Sequence, residues 1–467
     1  MGKHSAESAA LRLDGAPATT PGSALSGGGR RAGAGAKRGG GTSRALGREK
    51  QSAVAAEATF GQVFAVREFR ALWLAQLLSV AGDQLARVAM TVLVYDRTRS
   101  ALLTALTYAL TYLPWIVGGL ALSGLADRLP RRQVMVACDL ARMVLVLLMV
   151  TVSLARSAAA LWTMVALLFF VTLLDSPFKS ARSALMADIL TGERYVLGTT
   201  LTQISFQVGT VLGFALGGLV VAALGTRTAL LADAATFAVS ALLLLLGVHK
   251  RPAAAGRGEA GPAPSHWADM VVGVRLVFGD PTLRTLVLFG WLVTFYVVPM
   301  GLAAPYAARF HGVPLAIGTG LVFAALPFGT AVGTFVLGRA VSPPRRLRWM
   351  GPMAVGSCAV LMLCWTQPGA PASLAVFALA GALASFQLPA NAAFVAAVPA
   401  ARRGQAFGLA NGGMQVAQGL WFIAAGALAE TVTPATAIAI SGLIGAAVAT
   451  GLMIDWRRQE SSARSQP

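Results

Sequence analysis

Gly124-Leu125-Ala126-Asp127-Arg128-Leu129-Pro130-Arg131-Arg132 is a charged knot between two long apolar runs, residues 100–123 and 133–155. Each run is long enough to cross a bilayer, which takes ~20 apolar residues. A short loop with three Arg and one Asp between two spans is predicted to lie on the cytoplasmic side. An ordinary basic loop would satisfy that rule by itself. It would not require Gly124 and Asp127 where they stand.

The rest of the chain is equally apolar. Of 467 residues, 56% are hydrophobic and only 12% charged, and mean hydropathy is +0.67. A soluble domain carries roughly twice that share of charge. The composition therefore predicts an all-α, multi-pass membrane protein of the cell membrane, with the lipid bilayer as its first partner. A net charge of +19 would suit nucleic acid. The basic residues, however, sit in the N-terminal tail and in alternate loops, without interleaved aromatics, so no nucleic acid is expected. Cys138, Cys358 and Cys364 all fall inside apolar runs and read as free thiols. There is no Gly-x-x-x-x-Gly-Lys-Ser/Thr and no His/Cys cluster. No ATP site, metal or other cofactor is expected, and no enzymatic activity.

Apolar runs occur near 70–95, 100–123, 133–155, 158–178, 196–223, 228–248, 283–306, 315–338, 347–366, 371–397, 404–429 and 433–454, twelve in all. Loops on one side carry 16 Lys and Arg, from Arg128 to Arg403, against 5 on the other: Arg97, Arg99, Arg156, Arg227 and Arg309. This asymmetry predicts that both termini are cytoplasmic. Residues 1–66 show no apolar periodicity and read as a disordered basic tail, either solvated or touching anionic headgroups. Residues 67–248 form a first group of six spans and 283–456 a second. Between them, 249–282 is a linker in which Trp267 to Phe278 has helical periodicity, as in a short helix lying on the cytoplasmic face. Residues 457–467 are a cytoplasmic tail.

The two groups repeat one another. Gly124 and Arg131-Arg132 recur as Gly338 and Arg345-Arg346, and Arg70 as Arg284, all 214 residues on. Pro177 and Ala181 recur as Pro389 and Ala393, and Arg194, Gln207 and Gly218 as Arg402, Gln415 and Gly426. The order is kept with nearly constant offset, which is the signature of duplication.

The pattern Gly-x-Leu-Ala-Asp-Arg-x-x-Arg-Arg resembles the loop between the second and third helices of the major facilitator superfamily. Phe69-Arg70-Ala71-Leu72-Trp73-Leu74-Ala75-Gln76, followed by Gly82-Asp83, is similar to the first-span entry of its drug- and siderophore-exporter branch. Pro177-Phe178-Lys179-Ser180-Ala181-Arg182 resembles that branch's fourth-helix exit. The resemblance covers roughly residues 67–456. It implies two pseudo-symmetric six-helix bundles with a substrate site between them near the midplane. It also implies that Gly124, Asp127, Arg128, Arg131 and Arg132 gate the conformational change, Asp127 bracing the cytoplasmic side against the start of the eleventh helix near Arg403 and Gly404. A local salt bridge from Asp127 to Arg131 is the alternative. The second loop copy has Val341 in place of Asp127. Gly209, Gly213, Gly217 and Gly218 resemble the antiporter motif of superfamily exporters, but Phe214 stands where the family has proline. Plain small-residue helix packing would need the same glycines.

Charges inside spans are expensive, ~2.5–3.5 kcal/mol each at mid-bilayer on insertion scales. Between Asp280 and Asp455 the only acidic residue is Glu430, at the edge of a span. Any central carboxylate must come from the N-terminal half. Asp83 lies mid-span with Arg87 four residues on, on the same helix face. The pair reads either as a proton switch or as a permanent ion pair. Asp233, early in the sixth span, is the second proton candidate, in a position that suits the helix dipole. Asp139 with Arg142 reads as an anchor, and Asp175 with Lys179 as a surface pair. Gln203, Gln207, Tyr296, Gln387, Asn391, Asn411, Gln415 and Gln418 are polar candidates for a substrate cavity. For any one of them, interhelical hydrogen bonding is the competing role.

These features predict a monomeric secondary transporter that exports a small, partly apolar compound, a drug, natural product or siderophore, in exchange for protons. An importer or lipid-like transporter of the same fold, or a sensor that does not transport, is the alternative. Reporter fusions at Gly256 and Arg464 should both behave as cytoplasmic. Display of either outside the cell would break the twelve-span reading.

Overall fold

The computed structural model describes residues 59–112, 114, 129–251, 266–399 and 402–464. These are helical throughout, with no strand among the described residues. In chain order the elements are α1 (Phe60–Ala65), α2 (Arg67–Thr98), α3 (Ala101–Ala109), α4 (Arg131–Val152), α5 (Ala158–Leu173), α6 (Asp175–Ile189) and α7 (Glu193–Gly247). The second half has α8 (His266–Gly279), α9 (Pro281–Trp291) and three short continuations, α10 (Val293–Tyr296), α11 (Val298–Gly301) and α12 (Ala303–Ala307). It ends with α13 (Leu315–Ala340), α14 (Pro343–Ala359), α15 (Ala370–Leu383), α16 (Gln387–Ala397), α17 (Arg403–Thr431) and α18 (Pro434–Arg464).

Local chemistry sets the helix ends. Ser100, Ser157 and Asp280 cap α3, α5 and α9 by accepting backbone N–H bonds, and Pro281 fills the first turn of α9. Nine helical segments among the described residues are long and apolar enough to cross a membrane, where the sequence shows twelve apolar runs. The difference has physical causes. The fifth and sixth runs are joined in the 55-residue α7. At 1.5 Å per residue α7 would be ~80 Å long, against a hydrocarbon core of ~30 Å. Gly225, at φ 82° and ψ 166°, breaks it in two. Only the Ala101–Ala109 part of the second run is described as a helix, and α17 is diluted by Gln405, Asn411, Gln415 and Gln418.

Residues 60–65 are not part of a disordered tail: Val63 is fully buried, and Phe64 packs edge-on against Phe69 and Trp73. Within the 249–282 segment the structure has the helix α8, and Gly273 on it meets the Gln405 carbonyl.

The buried apolar residues form two clusters. The larger one joins residues from both halves, among them Tyr108, Phe214, Phe323 and Phe422. The smaller one contains only residues between Val63 and Val248. It lies where α2 and α4 start and α7 ends, here called the Pro130 end. The mixed cluster reaches the opposite rim, where α2 ends and α3 begins, here called the Ser100 end. There, backbone meets backbone. A Cβ on Gly218 of α7 would lie 2.6 Å from the Ala316 carbonyl, and one on Gly320 of α13 would lie 2.6 Å from the Phe214 carbonyl. Gly320→Val should therefore force the halves apart and lower the thermal unfolding midpoint in detergent, a loss of about 1–3 kcal/mol. Gly451→Ala, with nothing within 4 Å, should be neutral or slightly stabilising in the same assay.

Candidate transport site

Four helices of the N-terminal half bring their intramembrane charges together. Arg142 of α4 is the hub, only 1% exposed. It donates to Asp175 Oδ1 of α6 at 2.8 Å. Its guanidinium lies 5.2 Å from the Phe178 ring centre and 5.5 Å from that of Phe237. Lys179 Nζ reaches the other Asp175 oxygen at 2.5 Å. Asp175 is therefore an interior bridge between two cations and not the surface member of an i, i+4 pair, because the start of α6 packs inward against α4.

Asp139 of α4 is fully buried. It pairs with Ser240 of α7, whose Oγ donates to Oδ2 at 2.6 Å, while Oδ1 has no hydrogen-bond partner among the described residues. Asp233 of α7 is 1% exposed, and its Oδ1 also has no hydrogen-bond partner among the described residues. Asp233 stands more than two turns beyond Gly225. The dipole benefit expected there fades within the first turn, and its position is set by packing on α2: a Cβ on Gly82 would lie 2.5 Å from Asp233 Oδ1.

Asp83 and Arg87 share this site but form no ion pair. Arg87 donates instead to Gln84 Oε1 at 3.3 Å and lies near Tyr108 and Tyr112 of the second run. The charges acting on Asp83 come from Arg142, Asp175, Arg87 and Lys179. Asp83, Arg87, Thr111, Arg142, Asp175 and Asp233 line one cavity of about 40 Å³, roughly the room one water needs. Among the described residues no cluster of His, Cys, Asp and Glu suits a metal ion.

The other predicted residues divide. Gly124, Asp127 and Arg128 lie outside the described residues. Among the described residues Arg131 pairs with Asp188 and bonds the Ala184 carbonyl; the bridge to Asp127 weighed above lies outside them. Arg132 donates to the Leu245 carbonyl, and in the second half Arg346 donates to the Val341 and Gly338 carbonyls. In both copies an arginine neutralises the C-terminal end of a helix. Gly209, Gly213 and Gly217 face Leu77, Gln84 and Leu85 of α2, while Gly218 faces α13. Phe214, in place of the family's proline, stacks on Phe323 with ring centres 4.8 Å apart and planes at 17°.

Of the polar cavity candidates, Gln387 Nε2 donates to Tyr296 Oη at 3.2 Å and to the Gly290 carbonyl at 3.1 Å. Gln207 donates to the Pro327 carbonyl at 3.2 Å. Among the described residues no hydrogen bond joins Gln387 or Gln207 to Gln203, Asn391, Asn411, Gln415 or Gln418. Along α17, exposure falls from Asn411 through Gln415 to the buried Gln418. Sequence reading underrated Asp139, Arg142 and Asp175. The high cost of any charge inside a span was the signal that they share one site with Asp83.

Comparison with known proteins gives a consistent family. The sequence model of the Major Facilitator Superfamily matches residues 72–369. The enterobactin exporter EntS of Citrobacter koseri is 28% identical over 297 residues, 62% of this chain and 67% of the relative. An uncharacterized MFS-type transporter of Bacillus subtilis, YjbB, is 26% identical over 203 residues, 43% of this chain and 50% of the relative. Among solved structures, a POT family transporter in complex with 5-aminolevulinic acid superposes with a TM-score of 0.64 at 13% identity, covering 86% of this chain and 98% of that one. A bacterial homologue of the iron transporter ferroportin, in an inward-facing state, superposes with a TM-score of 0.63 at 16% identity, covering 83% and 98%. At these identities the structures speak for the fold alone.

The Arg142 hub predicts a stability signature. Arg142→Met should cost roughly 3 kcal/mol or more, because it strips a buried carboxylate of a partner. Arg142→Met combined with Asp175→Leu should recover most of that loss. Thermal unfolding of the purified single and double variants checks both.

Proposed function

This chain belongs to the Major Facilitator Superfamily, and we propose that it is a proton-coupled exporter of a small, partly apolar compound, working by alternating access. The described helices and the twelve apolar runs fit two six-helix bundles, residues 67–248 and 283–456, with both termini cytoplasmic. The observation that carries the reading is the cavity shared by Asp83, Arg87, Arg142, Asp175 and Asp233. Asp175 is held by two cations, whereas Asp83 and Asp233 form no ion pair among the described residues. A carboxylate of that kind can gain and lose a proton without breaking a salt bridge. Asp83 and Asp233 are thus the proposed proton carriers, with Arg87 and Arg142 as fixed counter-charges. The C-terminal half has only Glu430 between Asp280 and Asp455. Its contribution is the apolar wall and the polar groups of Tyr296, Gln387 and Gln415.

The cargo is proposed from likeness and composition together. A relative over two thirds of its length is an enterobactin exporter, and the half without central charges suits an apolar, hydrogen-bonding compound. Enterobactin is the first probe to use.

Proteoliposomes with an imposed pH gradient test this directly. Wild type should accumulate the compound uphill. Asp83→Asn and Asp233→Asn should each abolish uphill transport while keeping downhill exchange at least in part. Uphill transport at the wild-type rate in both well-folded variants would contradict the assignment.

A further inference from the structure

Glu430 ends α17 at the Ser100 end of the bundle. Its Oε1 accepts from Ser100 Oγ at 2.6 Å and from the Leu102 backbone N–H at 2.9 Å. Ser100 is the N-cap of α3, and its Oγ also accepts from the Leu103 N–H at 3.1 Å. A carboxylate of the C-terminal half thus sits on the first turn of a helix of the N-terminal half, where unpaired N–H groups and the helix dipole favour negative charge. The approach is built in. A Cβ on Gly426, one turn before Glu430, would lie 2.6 Å from Ala105 Cβ and 3.1 Å from Leu102 Cα. Another turn inward, Phe422 packs on Tyr108 and Tyr112 with ring centres 5.0 and 5.4 Å apart. Among the described residues two further hydrogen bonds cross the seam, Tyr108 to Met300 and Gln207 to the Pro327 carbonyl, and both are uncharged.

We propose that Glu430 is the latch of the Ser100 end: a positioning residue that biases the two halves toward closure there and lets go when the cavity opens to that side. The inference rests on the alternating-access reading above. The contact suits a latch better than a permanent tie. It lies at the exposed rim, where separation exchanges two hydrogen bonds for bonds to water and the net loss is small. An interaction of that size shifts a two-state population without freezing it.

Spin labels on cysteines introduced at Asp96 and Val432, both exposed, report the opening of this end in the full-length protein. The native Cys138, Cys358 and Cys364 are buried, which keeps them from competing for label. Electron–electron distance measurements in nanodiscs should show a short and a long population in wild type. Glu430→Ala should shift the ratio about tenfold toward the long one. Ser100→Ala, which leaves the Leu102 N–H in place, should shift it less. Glu430→Gln repeats the measurement without the charge should the alanine variant fold poorly. Two wild-type populations whose ratio does not respond to either Glu430 change would overturn the latch and leave alternating access standing. A single unchanging short distance in every protein would overturn alternating access and the latch with it.

Discussion

Everything in the N-terminal half is arranged around the cost of holding charge inside a bilayer. Asp83, Asp139, Asp175 and Asp233 come from α2, α4, α6 and α7, and Arg142 stands among them almost wholly buried. No one of these groups is stable there unaided. Together they fix which face each of the four helices turns inward. Gly82 supplies the close approach that lets α2 lie against Asp233, and the Phe178 and Phe237 rings cover the guanidinium that binds Asp175.

The C-terminal half solves a different problem. It carries no central carboxylate, so its helices are held by shape. A Cβ on Gly329 would lie 1.8 Å from the Ala378 carbonyl and one on Gly381 2.1 Å from the Leu326 carbonyl, so α13 and α15 touch through their backbones. At the Ser100 end this half meets the other through the same device plus aromatic stacking: Phe214 and Tyr108 both lie face to face with Phe323. At the Pro130 end the buried cluster belongs to the N-terminal half alone. Among the described residues, buried charge is thus concentrated in the N-terminal half, and the apolar cluster shared by both halves reaches the Ser100 end.

Much of this was legible in the sequence. Long apolar runs, the charged knot at Gly124–Arg132 and the 16-to-5 loop asymmetry pointed to a multi-pass helical chain, and the repeated Gly and Arg positions pointed to duplication. The mid-span place of Asp83 and the small-residue face of Gly209, Gly213 and Gly217 were visible as well. Partner choice was not. Arg142 reaching Asp175 and Glu430 capping α3 depend on which helix faces meet across 33 and 330 residues. Spacing along one helix carries no information about that. Phe214 shows the same limit. As a departure from a motif it looked like weakness, but its role is set by Phe323, which lies in the other half.

The central claim is that carboxylates of the Asp83–Asp233 cavity change protonation. Infrared titration of the protonated-carboxyl stretch in purified protein tests it without knowledge of the cargo. The account predicts a buried-carboxyl band that rises and falls with pH, that is reduced in Asp83→Asn and in Asp233→Asn, and reduced further in the double variant. No titrating buried band, or one that neither Asp83→Asn nor Asp233→Asn alters, would contradict it.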